Sequence, residues 1–580
     1  MPDNYSSPGV SVSEIDLTTA IPLLSSSIGA HVGQFNWGPI EEIVTINNET
    51  QLVDKFGKPD PISANSISFF VCANFLAYSN NLKVIRTNAT GIRNASNNAS
   101  SLLIKNEIDY LNYSNGAFTY SGGSANTFGP FVARYAGALG NSLKYVVWDN
   151  ASASISTEYS SLFSSTPSTT TWVSDRGGSN DELHIVVIDE DGKFTGSKNI
   201  IVEKFEGLSR ATDAKDTTGT SNYYKEVINR KSKYLRWVSE PTSSQLSGRG
   251  TGTIGGATNY SGNSTTTFSN STSNLTISLV GGVDATSGTS DRTSAYALLN
   301  NSEEVDVGLI FAGDYDSTTI GTTLKNLVEA RKDCMGFFSP SYSAVVNNYG
   351  NEVSSILNTN NRGSINSSYL FMDSGWKYQY DKYNDQYVWV PLNGDIAGLC
   401  AKTDSDRDPW FSPGGMNRGF IKNIVKLAFN PTKSQRDQLY VKQVNPVVTF
   451  SGEGTVLFGD KTLLTKPSAF DRINVRRLFI TLEKAISKAA RLSLFEFNDA
   501  FTRAQFVSLV EPYLRDVQGR RGITDFRVVC DDTNNTAEVI DKNQFVGDIY
   551  IKPSRSINFI QLNFVAVRSG VNFDEIVGKF

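Results

Sequence analysis

Residues 472–497 read RINVRRLFITLEKAISKAARLSLFEF. Val475, Leu478, Phe479, Leu482, Ile486 and Ala489 recur at three- and four-residue intervals, which places them on one face of an α-helix. A second helix is expected from near Asn498 to about Val517, ending at Gly519. Strand candidates follow at FRVVC (526–530), FVGDIYI (545–551) and INFIQLNFVAV (557–567). Helices packed on one face of an antiparallel sheet satisfy that order.

Upstream, SGWKYQYDKYNDQYVWVPL (374–392) has the pattern of a hairpin. Trp376, Tyr378 and Tyr380 alternate on one arm, Tyr387 and Trp389 on the other, with 381–385 as the turn. VDVGLIFAG (305–313) reads as a buried strand and 319–332 as a helix. Nearer the start, 49–56 reads as helical. A stronger helix over 64–79 carries Phe69, Cys72, Phe75 and Leu76 at helical spacing, with Ser63 as its N-cap, and LKVIRT (82–87) follows as a strand. Residues 89–283 differ: they are rich in Ser, Thr, Asn and Gly, with short strands at 143–149 and 182–189. The expected fold is therefore α+β and multidomain. A C-terminal antiparallel sheet packs with helices, and one α/β domain is split by β-rich insertions, which requires Thr87 and Gly281 to lie close together.

Both ends of the chain carry apolar, extended-looking stretches. Val10, Val12, Ile15 and Leu17 nearly alternate with polar residues, and Val571, Phe573, Ile576 and Phe580 make the last residues too apolar for a solvated tail. Such arms are expected to have partners.

Composition narrows the function. Of 580 residues, 39% are hydrophobic and 19% charged, which is the balance of a folded chain. No apolar run approaches the roughly 18 residues of a spanning helix, and no secretory signal is expected. A net charge of −5 without a large basic patch disfavours a nucleic-acid backbone as the main ligand. Cys72, Cys334, Cys400 and Cys530 are isolated and read as buried thiols. With only His31 and His184, histidine catalysis and zinc start from little material.

The chemical motifs are weak. SGRGTGTIGGA (247–257) lacks the Lys-Ser/Thr ending of a phosphate loop, and GEGTVLFGDK (452–461) is explained by strand and turn glycines. CDDTNNT (530–536) lacks the register of a calcium loop and suits a tight turn. Asn-X-Ser/Thr triplets at Asn94, Asn112 and Asn274 read as loop composition. No carboxylate pair is singled out by an apolar setting. Two basic clusters, Lys484, Lys488 and Arg491, and Arg515, Arg520 and Arg521, could dock on an acidic partner. No cofactor and no enzymatic activity are expected.

Several long stretches together resemble one family. YSSPGVSVSEIDL at the start, FNWGP (35–39), VDKFGKP (53–59), WKYQYDKYNDQYVWVPLNGDIAGLCAKTD (376–404), SPGGMNRG (412–419), FDRINVRRLF (470–479), FNDAFTR (497–503), VVCDDTNNT (528–536) and INFIQLNFVA (557–566) are similar to the contractile tail sheath proteins of T-even-like myoviruses. Within the inserted region only YAGALGNSLKY (135–145) shares the likeness, and the stretch from Thr87 to Tyr135 is shorter than in the largest relatives.

The resemblance implies a subunit that stacks as hexameric rings in a helical sheath around a tail tube. Its expected partners are itself, through strand exchange, the tube protein, and the baseplate and tail terminator proteins. Direct nucleic-acid binding and membrane insertion are not expected. It further implies a layout of 1–20 as N-terminal arm, 21–88 and 284–415 as halves of a split domain, 89–283 as outward-facing insertions, 416–567 as a tube-facing domain and 568–580 as C-terminal arm. The arms, through Val10, Val12, Ile15 and Leu17 and through Val571, Phe573 and Ile576, would add strands to a neighbour's sheet, with Ile560, Leu562 and Phe564 as candidate acceptor. The basic clusters would face the tube. The location implied is the virion tail, assembled in the host cytoplasm. The alternatives are a sheath of a headless particle such as a tailocin, a tail-associated glycan hydrolase, or a carbohydrate-binding virion protein whose inserted β region or Tyr/Trp hairpin meets sugars.

Overall fold

Strands from both sides of residues 89–283 build one six-stranded sheet. Its order is Leu370–Met372, Met335–Phe338, Leu309–Phe311, Gly29–Gly33, Leu82–Arg86, Ile43–Ile46, parallel throughout except for the last pair. The computed structural model describes residues 27–61, 64–97, 102–112, 131–149, 157–238, 268, 275–314, 319–358, 361–558 and 561. Among these, 27–409 and 413–484 form a larger unit, and 410–412 with 485 onward a smaller one.

Successive side chains in the sheet point to opposite faces, and both faces are covered. Ile310, Leu370 and Met372 join Leu327, Val328 and Ile356 in one core. Leu309, Phe311, Met335 and Phe337 join Phe69, Phe75, Ile396 and Leu399 in the other. Burial on both sides explains why these strands show no polar alternation. The strand expected across 305–313 pairs only over Leu309–Phe311, although Val305 and Val307 are buried too.

The Asn393–Asp406 helix lies close against Ala64–Leu76 because of two glycines one turn apart. A Cβ on Gly394 would stand 2.5 Å from the Val71 carbonyl oxygen, and one on Gly398 2.5 Å from the Tyr78 ring. A helical glycine costs about 1 kcal/mol relative to alanine; here the close packing offsets it. Gly394→Ala is therefore expected to destabilise, by about 1–3 kcal/mol, despite its better helix propensity. A thermal melt checks the sign, and an unchanged or higher midpoint would contradict the packing argument.

The region between the sheet's two groups of strands contains a four-stranded antiparallel sheet, ordered Ile200–Ser209, Glu182–Asp189, Leu143–Trp148, Leu275–Ser278. Its entering and leaving segments pair with each other, Arg93 with Val283 and Ser96 with Val280. The turn after Glu182–Asp189 is tied by Asp189, whose Oδ2 accepts from the backbone N–H of Phe194 at 3.0 Å and of Thr195 at 2.8 Å.

The aromatic hairpin pairs Trp376–Asp381 with Gln386–Pro391, Tyr378 opposite Trp389 and Tyr380 opposite Tyr387, with ring centroids 4.6 Å and 5.4 Å apart. Its burial does not follow hydropathy, because Trp376 and Val390 are buried on opposite faces of it. Lys377, Gln379 and Asp381 are buried, while Tyr380 and Tyr387 are exposed. Gln379 accepts from Asn74 Nδ2 at 2.8 Å, so the inward polar face is bonded to the helix beneath it.

The helix of the opening stretch runs from Ile473 to Ala490. Val475, Leu478, Leu482, Ile486 and Ala489 are buried as expected, and Phe479 packs edge-on against Phe470 at 4.8 Å. The opposite side is buried as well: Arg477 grips both carboxylate oxygens of Asp404 at 2.5 Å.

In the smaller unit the Ala500–Gly519 helix starts at Asp499, which accepts from the Thr502 N–H at 2.8 Å. Phe506, Val510, Leu514 and Val517 form its inner stripe. An antiparallel hairpin follows, Ile523–Val529 with Asp548–Pro553. Residues 557 and 558 lie outside any strand; most of the third strand expected at 557–567 falls outside the described residues.

Candidate assembly surface

The arm residues Val10, Val12, Ile15, Leu17, Val571, Phe573 and Ile576, and the acceptor residues Ile560, Leu562 and Phe564, lie outside the described residues. The described strands that come just before Ile560, Leu562 and Phe564 in sequence are Ile523–Val529 and Asp548–Pro553. They pair in register from Phe526 opposite Ile551 to Val529 opposite Asp548. Among the described residues, no third strand joins them. Phe526, Val528, Ile549 and Ile551 are half-buried, and Tyr550 opposite Arg527 is exposed. An additional strand would find main-chain donors and acceptors at an edge of this sheet. The alternation in DIYIKP (548–553) is the sequence signal for it.

The connection between these strands is held by amides. Asn535 Oδ1 accepts from the Val546 N–H at 2.9 Å, and its Nδ2 donates to the Val546 carbonyl at 2.8 Å. Asp531 accepts from the Thr533 N–H at 2.8 Å, and Asp532 pairs with Arg503 at 2.6 Å. CDDTNNT is thus a loop clasp. Among the described residues no group of three His, Cys, Asp or Glu could hold a metal ion.

The basic clusters have different surroundings. Lys484 forms an ion pair with Asp306, whereas Lys488 and Arg491 are exposed one and two turns further along. Arg515 and Arg521 are exposed. Arg520 pairs with Asp516 at 3.6 Å and lies over the Trp410 ring at 5.3 Å, while Trp410 Nε1 donates to the Arg520 carbonyl at 3.1 Å.

The crevice at the carboxyl ends of parallel strands, where open α/β sheets commonly bind ligands, is filled here by the chain itself. Asn393 Nδ2 donates to the Gly313 carbonyl at 2.9 Å and to Ser339 Oγ at 3.0 Å, and its Oδ1 accepts from the Gly313 N–H at 3.0 Å. Ser339 in turn donates to Asp373 at 2.7 Å. Burial pushes the Asp373 carboxyl up to about 8, and holds the His31 imidazole down at about 4. Beside them Lys377 Nζ meets Asp395 Oδ1 at 2.9 Å, both side chains wholly buried. Burial raises the Asp395 carboxyl and lowers the Lys377 ammonium. This end of the sheet is a packed polar core. Sequence reading missed it, because its members come from five separated segments, around residues 31, 313, 339, 373–377 and 393–395.

Three families of sequence model match the chain: the tail sheath protein Gp18 domain III N-terminal region over 27–87, the phage tail sheath protein central domain over 280–463, and the phage tail sheath C-terminal domain over 465–566. The tail sheath protein of Vibrio phage KVP40 is 33% identical over 684 residues, covering 99% of each chain. That of Enterobacteria phage T4 is 33% identical over 667 residues, again covering 99% of each. The crystal structure of a sheath tail protein from Desulfitobacterium hafniense shares the fold at a TM-score of 0.51 and 12% identity, over 94% of this chain and all of that one (100%). On these matches the chain belongs to the phage tail sheath protein family, structural proteins of the phage tail rather than enzymes.

Proposed function

We propose that the chain polymerises as stacked hexameric rings around a tail tube, on a virion tail assembled in the host cytoplasm. It contracts to drive that tube through the host envelope during genome delivery. The observation that carries this reading is the 33% identity to tail sheath proteins over 99% of both chains. Residues 1–20 and 568–580 act as arms, and 21–88 with 284–415 as a split domain around the 89–283 insertions. Residues 416–567 face the tube, where the exposed Lys488, Arg491, Arg515 and Arg521 would meet an acidic tube surface. The arms of neighbours add strands to the sheet of Ile523–Val529 and Asp548–Pro553, or to the segment carrying Ile560, Leu562 and Phe564. Head-to-tail contacts of that kind build open helices. Baseplate and terminator proteins fix the ends of the polymer.

In this mechanism assembly traps an extended packing behind a kinetic barrier. Release of the first ring lets subunits rotate and repack as rigid bodies, with the arms as tethers and no nucleotide step. The test compares the full chain with one lacking residues 1–20, by sedimentation and negative-stain electron microscopy with cognate tube present. The full chain is expected to form rings or tubes, and the truncated chain to stay monomeric with an unchanged melting temperature. Equal assembly of both would show that the N-terminal arm is not the linker.

A further inference from the structure

Lys377 and Asp395, in the packed polar core at the end of the sheet, hold two reactive groups in contact and away from water. Nζ stands 2.9 Å from Oδ1, and both side chains are wholly buried. Lys377 lies on the Trp376–Asp381 strand, and Asp395 in the first turn of the Asn393–Asp406 helix. Their polar atoms are unevenly satisfied. Nζ also donates to the Lys422 carbonyl at 2.9 Å, and the Tyr78 hydroxyl donates to Oδ1 at 3.2 Å. Oδ2 is buried and has no hydrogen-bond partner among the described residues. A buried oxygen without a donor is costly, and this pair has a covalent way to shed it.

Three conditions for joining an amine to a carboxyl meet here. The first is proximity. A nitrogen at this distance from Oδ1 is within ~4 Å of Cγ, near the attack separation of about 3–3.5 Å, and such placement is equivalent to a concentration of ~10⁵ M or more. Held only through Oδ1, the carboxyl can turn about Cβ–Cγ, a torsion with broad wells, to offer Cγ to the nitrogen. The second is neutrality. Burial outweighs the attraction within the pair, raising the Asp395 carboxyl and lowering the Lys377 ammonium, each toward the uncharged form that reacts. The nearby Asp373 carboxyl, held at about 8 chiefly by burial, is mostly protonated at neutral pH and adds little negative charge beside them. The third is dryness, because a pair out of solvent contact is protected from hydrolysis once joined.

We propose that Lys377 and Asp395 join spontaneously through an amide bond, a covalent cross-link inside the larger unit. Freshly made chain carries the ion pair, which is the reactant. A proton passes from the ammonium to the carboxylate, the Nζ lone pair forms the bond to Cγ, and the Cγ–Oδ2 bond breaks. Oδ2 leaves as water with two of the three ammonium protons, so no oxidant, reductant or further reactant is needed. The product keeps the satisfied atoms and loses the orphan. The remaining N–H donates to the Lys422 carbonyl, and Oδ1, now the amide oxygen, accepts from Tyr78. The link ties the aromatic hairpin to the helix that follows it, and it stands independently of the assembly reading above.

The test follows the intact mass of the full chain from synthesis through prolonged incubation at pH 7, with a tryptic map under denaturing conditions. Trypsin cuts after Arg362, Lys382 and Lys402, so 363–382 and 383–402 come apart unless they are joined. A chain lighter by one water is expected, with a branched peptide containing both segments and uncut after Lys377. A mass unchanged by incubation, with 363–377 and 383–402 recovered separately, would overturn the proposal. So would a water loss that maps to a succinimide at another aspartate. Lys377→Arg keeps a cation without the nucleophilic amine; folded by its melting transition, it is expected to retain the full mass, and the same water loss there would overturn the proposal too. If that variant does not fold, the peptide map of the parent decides alone.

Discussion

Lys377→Met is expected to destabilise the larger unit by about 3–5 kcal/mol, the usual loss when one member of a buried ion pair is removed. Lys377 and Asp395 are both fully buried, with Nζ and Oδ1 2.9 Å apart. Nζ also donates to the Lys422 carbonyl at 2.9 Å, and the Tyr78 hydroxyl donates to Asp395 Oδ1 at 3.2 Å. Removing the ammonium leaves the Asp395 carboxylate in the dry interior with only the Tyr78 hydroxyl and a backbone N–H beside it. The companion variant Lys377→Met/Asp395→Leu removes both charges, and apolar replacements of buried pairs are often neutral. It is expected to recover all but about 1 kcal/mol, the residue reflecting the lost partner of the Lys422 carbonyl. Denaturant unfolding of the parent and both variants measures this. If the double variant is no more stable than the single one, the loss comes from packing and not from the uncompensated charge.

The second large effect is a dependence on pH. Asp373 is wholly buried and its carboxyl is held at about 8, chiefly by burial and further by the nearby Asp395, against the bonds it accepts from Gly375 N–H and Ser339. Because the folded value lies above the unfolded one of 3.8, the folded chain binds the extra proton between the two. The contribution of Asp373 is complete below about pH 4 and is lost as the pH rises through 8. About four pH units at 1.36 kcal/mol each set an upper bound of ~5 kcal/mol. Asp373→Asn removes this slope, so its stability relative to the parent should rise from pH 4 to about pH 8 and then level off. His31 has the opposite sign. Held at about 4 against an ordinary 6.5, it makes the fold lose stability as the pH falls from 6.5 to 4, and the Asp373 variant should retain that acid limb. Urea unfolding at pH 5, 7 and 9 reads both, and parallel curves for parent and variant would rule out Asp373 as the source.

Elements governed by local rules were legible in the residues. The periodicity of 472–497 placed the long helix, the alternation and turn residues of 374–392 placed the aromatic hairpin, and the apolar run of 82–87 placed a central strand. The motifs along the chain also carried the family. Each of these depends on neighbours within one or two turns of chain, where spacing maps directly onto direction in space.

Which residues of the hairpin are buried, and that the long helix is buried on a second side at Arg477, depend on tertiary structure. The hairpin's alternation separates Lys377, Gln379 and Asp381 from Tyr378 and Tyr380, yet both faces carry buried residues, the three polar side chains with Val390 on one and Trp376 on the other. Partners from distant segments, Asn74 for Gln379 and Asp395 for Lys377, satisfy the polar groups inside. The apolar residues 492–497 present the converse case. In sequence they extend a helix, but the Ile473–Ala490 helix has already ended, nothing in the described fold covers them, and Phe495 turns outward at positive φ. A side chain's burial is set by what lies across from it, and that is fixed only when segments hundreds of residues apart have come together.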